Sequence, residues 1–149
     1  MSELTALTLT DAVAGLKKKE FSSVELTQAY IDRMATHSNL NAYITETPEL
    51  ALEQAKASDA KLAKDEGGLI EGAPIAVKDL FCTNGVRTTA ASHILEGFTP
   101  PYESTITANL YQHGMVMLGK ANLDQFAMGS ANITSYFGNV INPWKRQGD

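Results

Sequence analysis

Lys78 is the residue whose type and place most suggest chemistry. It directly follows Ile75, Ala76 and Val77 and precedes Asp79, Leu80 and Phe81. A strand with apolar residues at successive positions is expected to be buried on both faces, so its terminal lysine is expected to enter the interior or a cleft. Burial disfavours the ammonium form and leaves an amine able to take a proton from a hydroxyl nucleophile. The residues alone allow a blander role more readily, an ion pair with Asp79 or another carboxylate at the strand end. A single lysine does not make an enzyme.

The second candidate is the stretch Gly119-Lys120-Ala121-Asn122-Leu123-Asp124-Gln125-Phe126-Ala127-Met128-Gly129-Ser130. Gly114, Gly119 and Lys120 stand at phosphate-loop spacing, but Ala121 replaces the Ser/Thr that would hold magnesium. The four residues between the glycines, Met115, Val116, Met117 and Leu118, read as a buried strand rather than a cradle of exposed amides, so nucleotide binding is rejected here. There is no GxSxG elbow and no HExxH, and His93 and His113 have no arranged Ser/Asp partners. Ser22 and Ser104 suit helix caps, while Ser130 and Ser135 lie in a Gly/Asn/Thr loop where turn chemistry is the default. Read by themselves, the residues offer a suspicious lysine without a nucleophile.

The elements that must position these groups follow from local signals. Thr8 and Asp11 cap a helix whose expected buried face is Leu9, Ala12, Val13 and Leu16. Lys17, Lys18 and Lys19 close it, where cations oppose the macrodipole. Ser22 and Glu25 form a capping box for a second helix, with Leu26, Tyr30, Ile31 and Met34 inward and an end near His37. Residues 41–46 alternate as a short strand. Thr47-Pro48 opens a third helix to about Lys64, alanine-rich and expected to pack by one narrow face. After the break at residues 65–68, residues 74–77 read as a buried strand, 104–113 as a capped helix carrying Ile106, Leu110 and Tyr111 and stopped by Gly114, and 115–118 as another buried strand. A short helix is expected from Asn122 to a stop at Gly129, then a turn-rich tail over 136–149. Helices alternating with short buried strands indicate an α/β fold, a mixed sheet covered by helices.

At 149 residues with 44% hydrophobic composition the chain is large enough for one core and too small for two full domains. With 19% charged residues, disorder is not expected. Twelve basic against seventeen acidic residues give a net charge of -5, the wrong sign for a chain that grips a phosphate backbone unaided. Cys82 is the single cysteine. It excludes an internal disulfide and, lacking CxxC or CxxH neighbours, a structural zinc site, which suits a reducing, cytoplasmic setting. No apolar run approaches the roughly 20 residues that span a bilayer, and no secretory leader is legible.

Several stretches together resemble the amidase-signature family, and within it the glutaminase subunits of glutamyl/aspartyl-tRNA amidotransferases. They are Ser23-Val24-Glu25-Leu26-Thr27; Gly72-Ala73-Pro74-Ile75-Ala76-Val77-Lys78-Asp79; Leu95-Glu96-Gly97-Phe98; Tyr102-Glu103-Ser104-Thr105; the stretch 119–130 quoted above; and Thr134-Ser135-Tyr136-Phe137. The likeness covers nearly the whole chain. It is the Leu-Glu-Gly-Phe and Asn-Leu-Asp-Gln-Phe-Ala-Met-Gly stretches, in order, that point to these subunits over other amidases.

The resemblance implies a Ser-cisSer-Lys mechanism in which Lys78 is the catalytic lysine, deprotonating a bridging serine that activates the nucleophilic serine. Met128, Gly129 and Ser130 match the loop lining the glutamine pocket, contributing backbone hydrogen bonds. It further implies that ammonia from glutamine passes to a partner subunit of a heterotrimer, where ATP and magnesium activate tRNA-bound glutamate or aspartate. No cofactor or metal is then expected in this chain, and tRNA would be met only through the complex. The glycine- and serine-rich signature with both serines is expected after Asn142-Pro143-Trp144, yet the sequence stops at Asp149. Residues 1–149 are therefore expected to be the N-terminal portion of a single amidase domain, a helical start over 1–66 and a lysine-bearing strand and helix part over 67–149. By itself that portion is expected to be inactive. A related amidase acting on another small amide, and a non-catalytic partner-binding domain, stay open as alternatives.

Overall fold

The computed structural model describes residues 4–144. Its elements are helices α1 (Leu9–Lys18), α2 (Ser23–Thr36), α3 (Pro48–Ala63) and α4 (Thr105–Gln112) and strands β1 (Tyr43–Glu46), β2 (Pro74–Lys78) and β3 (Val116–Ala121). The strands form one mixed sheet in the order β1-β3-β2, with β1 antiparallel and β2 parallel to β3. The α/β architecture is as expected.

The helix starts obey the local chemistry. Thr8 Oγ1 accepts the Asp11 amide at 3.1 Å. Ser22 Oγ accepts the Glu25 amide at 3.0 Å while the Glu25 carboxylate accepts the Ser22 amide at 2.8 Å, a reciprocal pair that satisfies two otherwise orphaned donors. Ser104 caps α4 in the same way, accepting from the Thr107 amide at 3.2 Å. In α3 the buried face is Ala51, Ala55, Ser58 and Leu62, a narrow stripe whose small residues let the helix lie close on β3.

Burial departs from the periodicity in three places. Leu9 is 55% exposed, and the inward face of α1 is Ala12, Gly15 and Leu16, because Phe21 packs over Gly15 so closely that a Cβ there would meet its ring at 2.5 Å. Ile106 of α4 is 49% exposed, and the buried residue is Thr107, held by hydrogen bonds to the Cys82 carbonyl and the Glu103 carboxylate. The short helix expected over 122–129 is a single tight turn at Gln125–Ala127, in which Phe126 and Ala127 adopt left-handed φ of 53° and 57°. Residues 136–144 carry no helix or strand, and 145–149 lie outside the described residues.

The core has three connected parts. Leu16, Leu26 and Leu62 close the α1–α2–α3 corner. Ala51, Ala55, Val116 and Leu118 seat α3 on the sheet. Val77, Val86, Met115 and Met117 fill the side toward α4. β3, buried through Lys120, is the centre of the fold. The strand predicted at 115–118 thus extends to Ala121, and Lys120 lies inside it rather than in a phosphate loop.

Candidate active site

The strand carrying Lys78 is not buried on both faces. Val77 is buried, Ile75 is half-buried, and Ala76 and Lys78 are exposed. β2 lies at the edge of the three-stranded sheet, so its alternation places Val77 inward and its neighbours outward. The expectation that Lys78 enters the interior is corrected for the described residues. Its ion pair with Asp79 is corrected as well, since Asp79 turns the other way.

The buried lysine is Lys120. Its side chain and that of Asp79 are both fully buried, with Nζ 3.5 Å from Asp79 Oδ1. Lys120 Nζ also donates to the Phe81 carbonyl at 2.8 Å and to Thr88 Oγ1 at 2.6 Å. Burial pulls the Lys120 amine below its ordinary value, and the Asp79 carboxylate acts in the opposite sense. Asp79 Oδ2 accepts the Thr89 amide at 3.0 Å and the Thr89 hydroxyl, whereas Oδ1 has no hydrogen-bond donor and faces Lys120. The Asp79 amide donates to Ala121 and its carbonyl accepts from Ala90. The residue after Lys78 is thus held through its backbone and its side chain, and this fixes the end of β2. The signal in the sequence was a lysine at the end of an otherwise apolar run, Met115-Val116-Met117-Leu118-Gly119-Lys120, and a carboxylate after the other strand.

From this anchor a backbone network runs to the second candidate. Ala90 and Ala91 are buried and both left-handed, with φ of 50° and 54°, a conformation costing about 1–2 kcal/mol per non-glycine residue. Their carbonyls accept the Phe126 amide at 2.9 Å and the Tyr136 amide at 3.0 Å, and Gln125 Nε2 donates to Ser92 Oγ at 2.8 Å. Two strained pairs, 90–91 and 126–127, are therefore joined by hydrogen bonds. The end of β2 and the loop bearing Met128, Gly129 and Ser130 are thereby tied into one framework. Met128 is 82% exposed, and Gly129 and Ser130 are exposed.

Asp124 is a second residue that sequence reasoning missed. It is 6% exposed, and amide and hydroxyl donors from residues 131–134, the Asn132 amide foremost, hold its carboxyl down at about 2. A separate cavity of about 510 Å³, lined among others by Tyr30, Met34, Tyr43 and Trp144, includes neither Lys78 nor the 128–130 loop.

Comparison with known proteins agrees with this arrangement. Over all 149 residues the chain is 61% identical to a glutamyl-tRNA(Gln) amidotransferase protein of Hyphomonas neptunium, the A subunit of that enzyme. It is 62% identical over 145 residues, 97% of the chain, to the protein of the same name from Caulobacter vibrioides. In each case it spans about 30% of the relative's length. Among solved structures it resembles the peptide amidase of Stenotrophomonas maltophilia with a TM-score of 0.84 at 28% identity, over 94% of this chain and 30% of that one. No described helix is long and apolar enough to cross a membrane. The Amidase family model matches residues 25–148, and the chain belongs to that family.

Proposed function

We propose that this chain is the lysine-bearing part of the glutamine-hydrolysing subunit of a tRNA-dependent amidotransferase, corresponding to the N-terminal portion of a single amidase domain. The observation that carries the reading is identity above 60% along essentially the whole chain to proteins of that name. In this reading Lys78 is the base that takes the proton of a bridging serine, and the backbone of Met128, Gly129 and Ser130 holds glutamine. Neither serine of such a triad can be assigned within the chain. Lys78 is exposed here, so the reading requires that the serine-bearing segment of the subunit close over it and exclude water, which is what makes a lysine amine an effective base. Ammonia would then pass to a partner subunit of the heterotrimer that uses ATP and magnesium to activate the glutamate or aspartate on tRNA, in the cytoplasm. The chain's charge of -5 suits a protein that leaves tRNA to its partners.

The test replaces the matching segment of the Hyphomonas neptunium protein with residues 1–149 and assembles it with that organism's partner subunits. Lys78→Ala and Lys78→Arg are both expected to abolish glutamine-dependent amidation relative to ammonia-dependent amidation of the same preparation. Arginine keeps the charge but gives up no proton at working pH. Glutamine turnover retained by the arginine variant would overturn Lys78 as the base. The 149-residue chain alone is expected to release no ammonia from glutamine above buffer background.

A further inference from the structure

The loop that carries Met128, Gly129 and Ser130 has little packing to hold it, since Met128, Ser130 and Ile133 are all exposed. What holds it is one carboxylate. Asp124 Oδ2 accepts the amides of Ala131 at 3.1 Å and Asn132 at 2.8 Å. Oδ1 accepts the amides of Ile133 at 2.9 Å and Thr134 at 3.1 Å and the Thr134 hydroxyl at 2.9 Å. Four successive amides converging on one anion form a backbone nest, and charge-assisted bonds of this kind are the stronger class. To reach that geometry the chain turns left-handed at Phe126, Ala127 and Asn132. It then passes so close over the carboxylate at Gly129 that a Cβ there would lie 2.5 Å from Asp124 Cγ and Oδ2.

The nest also decides which backbone groups are left over. The amides of residues 131–134 are used by Asp124, and those of Ala127 and Met128 by the Asp124 and Gln125 carbonyls. The Gly129 and Ser130 amides and the Met128, Gly129 and Ser130 carbonyls make no hydrogen bond among the described residues. A short run of unpaired donors and acceptors is therefore displayed at the exposed crest of a loop whose base is fixed.

We propose that Asp124 is a positioning residue for the glutamine pocket: it sets the backbone at Gly129 and Ser130 so that its free amides and carbonyls meet the polar groups of an amide substrate. The inference deepens the functional reading above and rests on it. Asp124 touches no substrate; it acts through the loop.

The test uses the chimeric protein, assembled with its partners, carrying Asp124→Asn or Gly129→Ala. Asparagine keeps the size but turns one acceptor into a donor facing two amides. Alanine leaves the carboxylate intact and forces the crest away from it. The readout is kcat/KM for glutamine divided by the ammonia-dependent amidation rate of the same preparation. Both variants are expected to lower this ratio about 10- to 100-fold, the range for misplacing a binding group by an ångström, with the change mainly in KM. A ratio within twofold of the parent overturns the proposal, whether because activity is unaffected or because both rates fall together, as a purely structural role requires. A parent chimera that amidates with ammonia but not with glutamine overturns the functional reading itself, and this inference with it.

Discussion

Replacing Lys120 by methionine removes the cation from a pair whose two side chains are both fully buried, leaving Asp79 with a charge that water cannot reach. Thr89 still supplies two donors to Oδ2, but Oδ1 has none. Methionine also strips the donor from the Phe81 carbonyl and the Thr88 hydroxyl. Breaking one side of such a pair costs about 3–5 kcal/mol. With an unfolding entropy of about 2.1 cal/mol/K per residue, that corresponds to a fall in Tm of about 10–16 °C for a chain of 149 residues. It is a large part of the roughly 7–15 kcal/mol such a chain is expected to have in total. The assay is thermal and urea unfolding of the 149-residue chain at pH 7, followed by circular dichroism, for wild type, Lys120→Met, Asp79→Asn and the double variant. The double variant is expected to lose less than the sum of the singles, because neutralising Asp79 removes the stranded charge. A loss below about 1 kcal/mol for Lys120→Met, or strict additivity in the cycle, would refute the argument that the pair is coupled and dry.

Gly119 sits in β3 where the register with β2 shifts, and a Cβ there would meet the Thr45 carbonyl oxygen at 2.4 Å. Gly119→Ala is expected to destabilise by about 1–3 kcal/mol through overpacking against backbone that cannot yield, read as a lowered urea midpoint; an unchanged midpoint counts against it. The Asp124 carboxyl is held at about 2, below its ordinary value of 3.8, chiefly by the Asn132 amide. Its stabilising bonds are therefore fully present above the unfolded value and are lost as pH falls from about 4 toward 2. Amide chemical shifts of residues 131–134 are expected to titrate across that window in the wild type and not in Asp124→Asn. A midpoint at or above 3.8 would contradict the nest.

Sequence alone was enough for everything that depends on neighbours a few positions away. Thr8, Ser22 with Glu25, and Ser104 announced the helix starts because a cap bonds an amide three residues on. Gly114 announced the end of α4, and the alanine-rich run after Pro48 a helix that packs by one narrow face. The ordered stretches around Lys78 and over 119–130 carried the family, a property of residue order that needs no coordinates. Only the tertiary structure decided which lysine is inside. Lys78 and Lys120 each end an apolar run, but β2 is an edge and β3 is flanked on both sides, and strand order is set by long-range pairing that periodicity does not encode. The same limit hid Asp124, whose partners lie seven to ten residues ahead and reach it only after the chain turns left-handed at residues with no glycine to signal it. A carboxylate in sequence looks solvated; folded amides made this one a buried anchor, because burying a charge is tolerated only where enough donors converge on it.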